Sequence, residues 1–202
     1  MKKTIVLLAG YPATGKSYLC DKILEKLPDF VVVSQDEMKE KLFDHYGFDN
    51  MEEKVQIENQ SWALYYETME KCLKAGESVI SDYPFSDKQK GRIASLAKTY
   101  GYQVVTFRLI GDLDVLYERS RKRDLDPKRH LSHLVSHYHK GDVLEDRTKA
   151  DCLVTYDVFM DRCKNRGYGT FQLGHLIEID VTDYHKINYP EIIQELCDLV
   201  AE

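Results

Sequence analysis

Three observations predict an α/β fold in which helices cover both faces of a mostly parallel sheet. Five short apolar runs, rich in β-branched residues, alternate with segments of helical periodicity. The first run leads directly into Gly10-Tyr11-Pro12-Ala13-Thr14-Gly15-Lys16-Ser17, which fits G-x-x-x-x-G-K-[ST] at every fixed position. Carboxylates, Asp36 and Asp82, follow the second and third runs. Strand ends of this kind are where open parallel sheets place their ligands.

Taken in order, Ile5–Ala9 reads as a buried strand, and a helix starts at Lys16. Tyr18, Leu19, Ile23, Leu24 and Leu27 recur on that helix at helical spacing, and Pro28 ends it. Phe30–Ser34 is the second strand, and Met38, Leu42 and Phe43 suggest a short helix after it. A longer helix spans about 51–75. Val55, Trp62, Tyr66, Met69 and Leu73 are expected on its buried face, with Gly76 as terminator. Ser78–Asp82 is the third strand, and a helix carrying Ile93, Leu96 and Ala97 stops at Gly101. Val104–Leu109 is the fourth strand, after which Asp112 caps a helix bearing Val115, Leu116 and Arg119. From Arg121 to about Lys149 the pattern turns polar, basic and histidine-rich, as expected of a lid. Helical character returns around 154–163, Leu176–Asp180 is the fifth strand, and Tyr189–Leu199 closes the chain. One domain over 1–202 is expected, with a lid insertion at about 121–149.

The loop carries the chemistry most specifically. Its glycines let successive backbone N–H groups turn inward toward phosphate oxygens, and the helix that follows adds its positive end. Residues Gly10, Tyr11, Pro12, Ala13, Thr14, Gly15, Lys16 and Ser17 are therefore the expected nucleotide cradle. Lys16 reaches the β/γ-phosphates and Ser17 ligates Mg²⁺. Asp82, ending an apolar strand, is the expected second metal-ordering group. Asp36 is placed to accept or orient an attacking hydroxyl, the competing reading being a helix N-cap. In the basic stretch Arg119 and Arg123, four apart, are expected to supply charge to the transition state, ahead of Arg121. A solvated basic face is the bland alternative.

Other features narrow the class. A formal charge of −6 argues against a protein that chiefly coats nucleic acid. Five scattered cysteines without a C-x-x-C pair suit reduced thiols, and the cytoplasm is the expected location. The apolar run after Met1-Lys2-Lys3 is too short for a signal peptide, and no stretch has the length of a membrane span. His130, His133, His137 and His139 lack a zinc-protease pattern and read as polar lid residues. Asp44–Gly47 and Thr148–Asp151 imitate guanine-nucleotide motifs, but neither follows an apolar strand. Nucleic acid is the less favoured partner, and the oligomeric state is open.

The loop, Ser34-Gln35-Asp36-Glu37, Ala75-Gly76 leading to Val79–Asp82, Arg119 with Arg123, Arg129-His130 and Asp180–Asp183 together resemble a known group. It is the small phosphate-loop kinases that include zeta toxins and the 5′-kinase domain of polynucleotide kinases. More distantly the chain is similar to gluconate and adenylate kinases. The resemblance implies a P-loop NTPase of nucleotide-kinase type, a three-layer α/β/α fold with a five-stranded parallel sheet in the order 2-3-1-4-5 and a helical lid. It also implies ATP with Mg²⁺, an acceptor hydroxyl near Asp36, Arg129 among the nucleotide contacts, and a turn bearing Thr182 beside the adenine. The expected activity is γ-phosphate transfer to a hydroxyl of a small molecule or nucleotide. A polynucleotide 5′-hydroxyl kinase, or a toxin-like nucleotide-gated binding protein, is the alternative. Where the resemblance usually continues Pro-Gly after Arg-His, this chain has Leu131-Ser132-His133.

Overall fold

The computed structural model describes residues 1–201. Five parallel strands form one sheet in the order β2-β3-β1-β4-β5. They are β1 (Thr4–Gly10), β2 (Val31–Val32), β3 (Val79–Asp82), β4 (Gln103–Ile110) and β5 (His175–Asp180). The helices are α1 (Lys16–Leu24), α2 (Gln35–Tyr46), α3 (Met51–Ala75), α4 (Asp87–Tyr100), α5 (Leu113–Leu125), α6 (Tyr156–Asn165) and α7 (Tyr189–Ala201).

The central strand shows why the sheet needs two helical layers. All seven residues of β1 are buried, because neighbours flank it on both edges and helices cover both faces. Its side chains alternate. Val6 and Leu8 pack with residues of α1, α5, α6 and α7, while Ile5, Leu7 and Ala9 pack with residues of α3 and α4. A third, smaller core of Phe43, Phe48, Ile57, Leu131 and Tyr138 fastens the lid to α2 and α3.

The sequence expectations meet three differences. Strand β2 forms ladder pairs only at Val31 and Val32, on the sheet edge, rather than along the whole Phe30–Ser34 run. On α3 the buried stripe is Lys54, Ile57, Ser61, Tyr65, Met69, Cys72 and Leu73, whereas Val55 is 46% exposed. Two polar residues in the stripe hid it. Lys54 Nζ donates to the Val135 carbonyl at 2.9 Å, and the Ser61 hydroxyl donates to the Glu58 carbonyl and accepts from Gln35. The lid is mostly irregular between α5 and α6, with short 3₁₀ turns at Leu131–His133 and Arg147–Lys149 in place of regular helix. No helix among the described residues is long and apolar enough to cross a membrane.

Candidate active site

Gly10 leaves the sheet with φ of 106°, and a Cβ there would lie 1.9 Å from the Leu109 carbonyl oxygen, so no other residue fits. Ala13 and Gly15 also take positive φ, which curls the loop around one hollow. Helix α1 then begins with Gly15 at its cap, no side-chain acceptor and no acidic residue in the first turn. By contrast Ser34, Asn50, Asp112 and Thr155 cap α2, α3, α5 and α6 with side-chain oxygens. The first turn of α1 thus has no side-chain cap for its free N–H groups.

The hollow is a cavity of about 710 Å³, within the usual range for small-ligand sites. Pro12 through Ser17, Asp36, Asp82, Arg119, Arg123 and Arg129 all line it, so the geometry brings together most of the residues expected from sequence. Gly10 and Tyr11 lie behind it, Gly10 in the sheet and Tyr11 with its carbonyl turned to Lys16. Thr182 does not line it either. Its hydroxyl accepts from the Asp112 amide and its amide donates to Asp180, which fixes the turn after β5.

Lys16 is drawn back on the loop, with Nζ donating to the Tyr11 carbonyl at 2.7 Å and to Thr14 at 3.3 Å. Burial lowers its pKa from 10.5 to about 8, against the opposing pull of Asp82. Ser17 donates to Asp82 Oδ2 at 2.9 Å. Burial pushes the Asp82 carboxyl up, and Asp36 nearby adds to that. Hydrogen bonds from Ser17 and Ser34 and the charge of Lys16 pull it back. A hydroxyl and a carboxylate held side by side below the phosphate loop are hard oxygen donors that fit Mg²⁺.

Asp36 is not the cap of α2, since Ser34 accepts the Glu37 amide there. It sits in the first turn, its side chain 41% exposed and paired with Lys39 at 2.7 Å. Burial would raise its carboxyl, but Lys39, His133 and Arg129 together hold it well below the usual carboxylate range.

The arginines divide by position. Arg119 donates to the Val181 and Thr182 carbonyls at 2.6 and 2.8 Å and lies 3.9 Å over the Tyr184 ring. It therefore builds the wall beside the β5 turn. Arg123 and Arg129 both approach Asp124 Oδ1, at 2.9 and 3.8 Å. Asp124 is 5% exposed, and sequence reading passed over it as one acid in a basic run. Its only sequence signal is an acidic residue at i+1 from a lining arginine. Sequence reading also missed Lys39, His133, Arg162, Arg166, Tyr83 and Tyr168 on the cavity wall.

The lid histidines turn out to be fasteners. His130 meets Asp44 at 3.1 Å, His133 meets Glu40 at 2.6 Å, and His137 and His139 share Asp49 at 3.2 and 2.8 Å. Asp44–Gly47 ends α2 and Thr148–Asp151 lies at the outer lid, both away from the cavity lining.

In overall fold the chain is similar to the crystal structure of a candidate kinase from Chloroflexus aurantiacus, at a TM-score of 0.75 and 24% identity over 98% of each chain. The APS kinase of Mycobacterium tuberculosis, in complex with AMPPNP and APS, matches at a TM-score of 0.57 and 14% identity over 100% of this chain and 98% of that one. A gluconokinase from Sinorhizobium meliloti matches at 0.51 and 16% identity, over 100% of this chain and 96% of that one. At such identities these likenesses establish a P-loop fold of the nucleotide-kinase type. The sequence model described as an AAA domain matches residues 5–139, which takes in the phosphate loop, Asp36, Asp82 and the first part of the lid, and the chain belongs to that family.

Proposed function

We propose that the protein is an ATP-dependent kinase that transfers the γ-phosphate to a hydroxyl group of an acceptor. The observation that carries this reading is the convergence, in one cavity, of an unoccupied-by-side-chain helix N-terminus with Lys16, the Ser17–Asp82 pair and Asp36. The loop amides and Lys16 would hold the β/γ-phosphates, and Arg123 with Arg129 would face the charge that develops in transfer. Arg119 and Tyr184 would border the base. Ser17 and Asp82 would hold Mg²⁺, which would supply positive charge to offset that of the phosphates.

Asp36 would orient the acceptor hydroxyl by accepting its hydrogen bond. A carboxylate held below the usual range is a weak base. Its main contribution is therefore position, with the proton taken late, which suits a loose phosphoryl-transfer transition state. The absence of a guanine-reading motif beside the cavity supports ATP over GTP.

The two carboxylates should fail differently when replaced. Asp36→Asn is expected to lower kcat about 10²-fold, at the low end for a positioned acid or base, with nucleotide affinity little changed. Asp82→Asn is expected to shift the Mg²⁺ requirement upward. Turnover measured against Mg²⁺ concentration decides it. Rescue of Asp36→Asn alone by excess Mg²⁺ would reverse the two roles.

A further inference from the structure

All four lid histidines lie against carboxylates, but two of them differ from the rest. His130 and His133 each face an acid of α2 alone, Asp44 and Glu40. His137 and His139 instead converge on one oxygen, with His137 Nδ1 at 3.2 Å and His139 Nε2 at 2.8 Å from Asp49 Oδ1. The ligand atoms of Asp49, His137 and His139 all lie within 4.8 Å of one another, and among the described residues this is the one such group of three. It lies outside the lining of the nucleotide cavity and does not depend on the kinase reading.

The backbone builds this convergence. Phe48 and Tyr138 form an isolated antiparallel bridge and exchange both N–H···O bonds, each of 2.8 Å. Their side chains are buried in the third core, which anchors the bridge from beneath. The flanking residues therefore share the opposite, outer face, with Asp49 across from His137 and Gly47 across from His139. Gly47 is required there: its φ is 66°, and a Cβ on it would overlap the His139 ring. The Asp49 amide donates to Glu53 and the His139 amide to Asp142, each at 2.7 Å, so two further carboxylates border the group. The sequence signal is His-x-His in an extended segment, which a search for the helical zinc-protease pattern passes over.

Tetrahedral bonds of about 2.0 Å from Zn²⁺ to nitrogen and oxygen set neighbouring ligands about 3.3 Å apart. The two nitrogen–oxygen separations at Asp49 are already close to that spacing. Two imidazoles with one carboxylate suit Zn²⁺ and its first-row neighbours, whereas Mg²⁺ and Ca²⁺ take oxygen ligands. Three protein ligands leave a fourth position for water, in keeping with the exposure of the group. We propose that Asp49, His137 and His139 form a binding site for a transition cation of the Zn²⁺ type, which clamps the lid to the α2–α3 connection.

The test uses the untagged full chain, stripped with a chelator and kept in excess Mg²⁺ so that the Ser17–Asp82 pair is occupied. Calorimetric titration with Zn²⁺ should show one ion per chain at micromolar affinity or tighter, and Zn²⁺ should raise the thermal midpoint. Co²⁺ should give a ligand-field spectrum without a thiolate charge-transfer band, which separates this site from capture by cysteine. The Zn²⁺ affinity should fall at least tenfold in His137→Gln, His139→Gln and Asp49→Asn. These side chains are half-exposed or more, so the metal-free variants should melt close to the parent. His175→Gln removes the histidine of a lone exposed pair with Glu195 and should bind like the parent. No binding, adventitious binding without fixed stoichiometry, a thiolate band, or equal affinity in His139→Gln and the parent would overturn the site. Each of these results leaves the kinase reading untouched.

Discussion

At the residue scale the account turns on Lys16. A lysine pulled to about 8 by burial is partly neutral in alkaline solution, and a polyphosphate stabilises its charged form. Bound nucleotide should therefore raise its pKa back toward 10.5. The sign follows: between these values binding takes up a proton, and affinity falls as pH rises through about 8. Calorimetry of AMPPNP binding at pH near 9 in two buffers of different ionisation enthalpy should show uptake approaching one proton. Lys16→Ala should bind weakly and show none. Buffer-independent heats for the parent would remove Lys16 from the phosphates. Lys16, Ser17, Asp36 and Asp82 were all legible in the sequence because motif and strand end each impose a position. Lys39 and Arg166 were not. Their place depends on how the lid and the segment after α6 fold back, and no local pattern encodes that.

At the element scale the lid is held by side-chain pairs rather than by regular structure. Asp124 aligns Arg123 and Arg129 from the end of α5, so Asp124→Asn should leave a folded protein in which both arginines are loosened. The expected result is a fall in kcat of about tenfold with nucleotide affinity nearly kept, read from steady-state kinetics. Unchanged kcat would show that the arginines need no alignment. His133 fastens the lid to α2 through Glu40, and burial lowers its pKa from 6.5 to about 4. Folded protein therefore resists a proton that the unfolded chain accepts. Stability should be unaffected above about pH 6.5 and fall as pH drops from there toward 4. His133→Gln, compared with the parent by denaturant unfolding at pH 7 and pH 5, should show a smaller loss on acidification. An equal loss in both would place the acid limb elsewhere. The periodicity of α3 misled for a related reason: Lys54 and Ser61 are buried because distant groups satisfy them, which no window of sequence reveals.

At the scale of the whole molecule, the alternation of strand and helix fixed the α/β class, and the resemblance supplied the strand order. The class followed from strong local signals: β-branched runs, the phosphate loop and glycine terminators at Gly76 and Gly101. The irregular lid followed from none of these, because it is built from turns, two 3₁₀ segments and long-range histidine–carboxylate contacts. The central claim is γ-phosphate transfer from ATP to a hydroxyl. Its most direct test is to incubate the protein with Mg²⁺, γ-labelled ATP and a metabolite extract, and to follow label into acid-stable phosphate esters, with Lys16→Ala as the control. The account predicts a labelled monoester formed by the parent and lost in Lys16→Ala, with ATP preferred to GTP. Release of label only as inorganic phosphate, or equal labelling by Lys16→Ala, would contradict it.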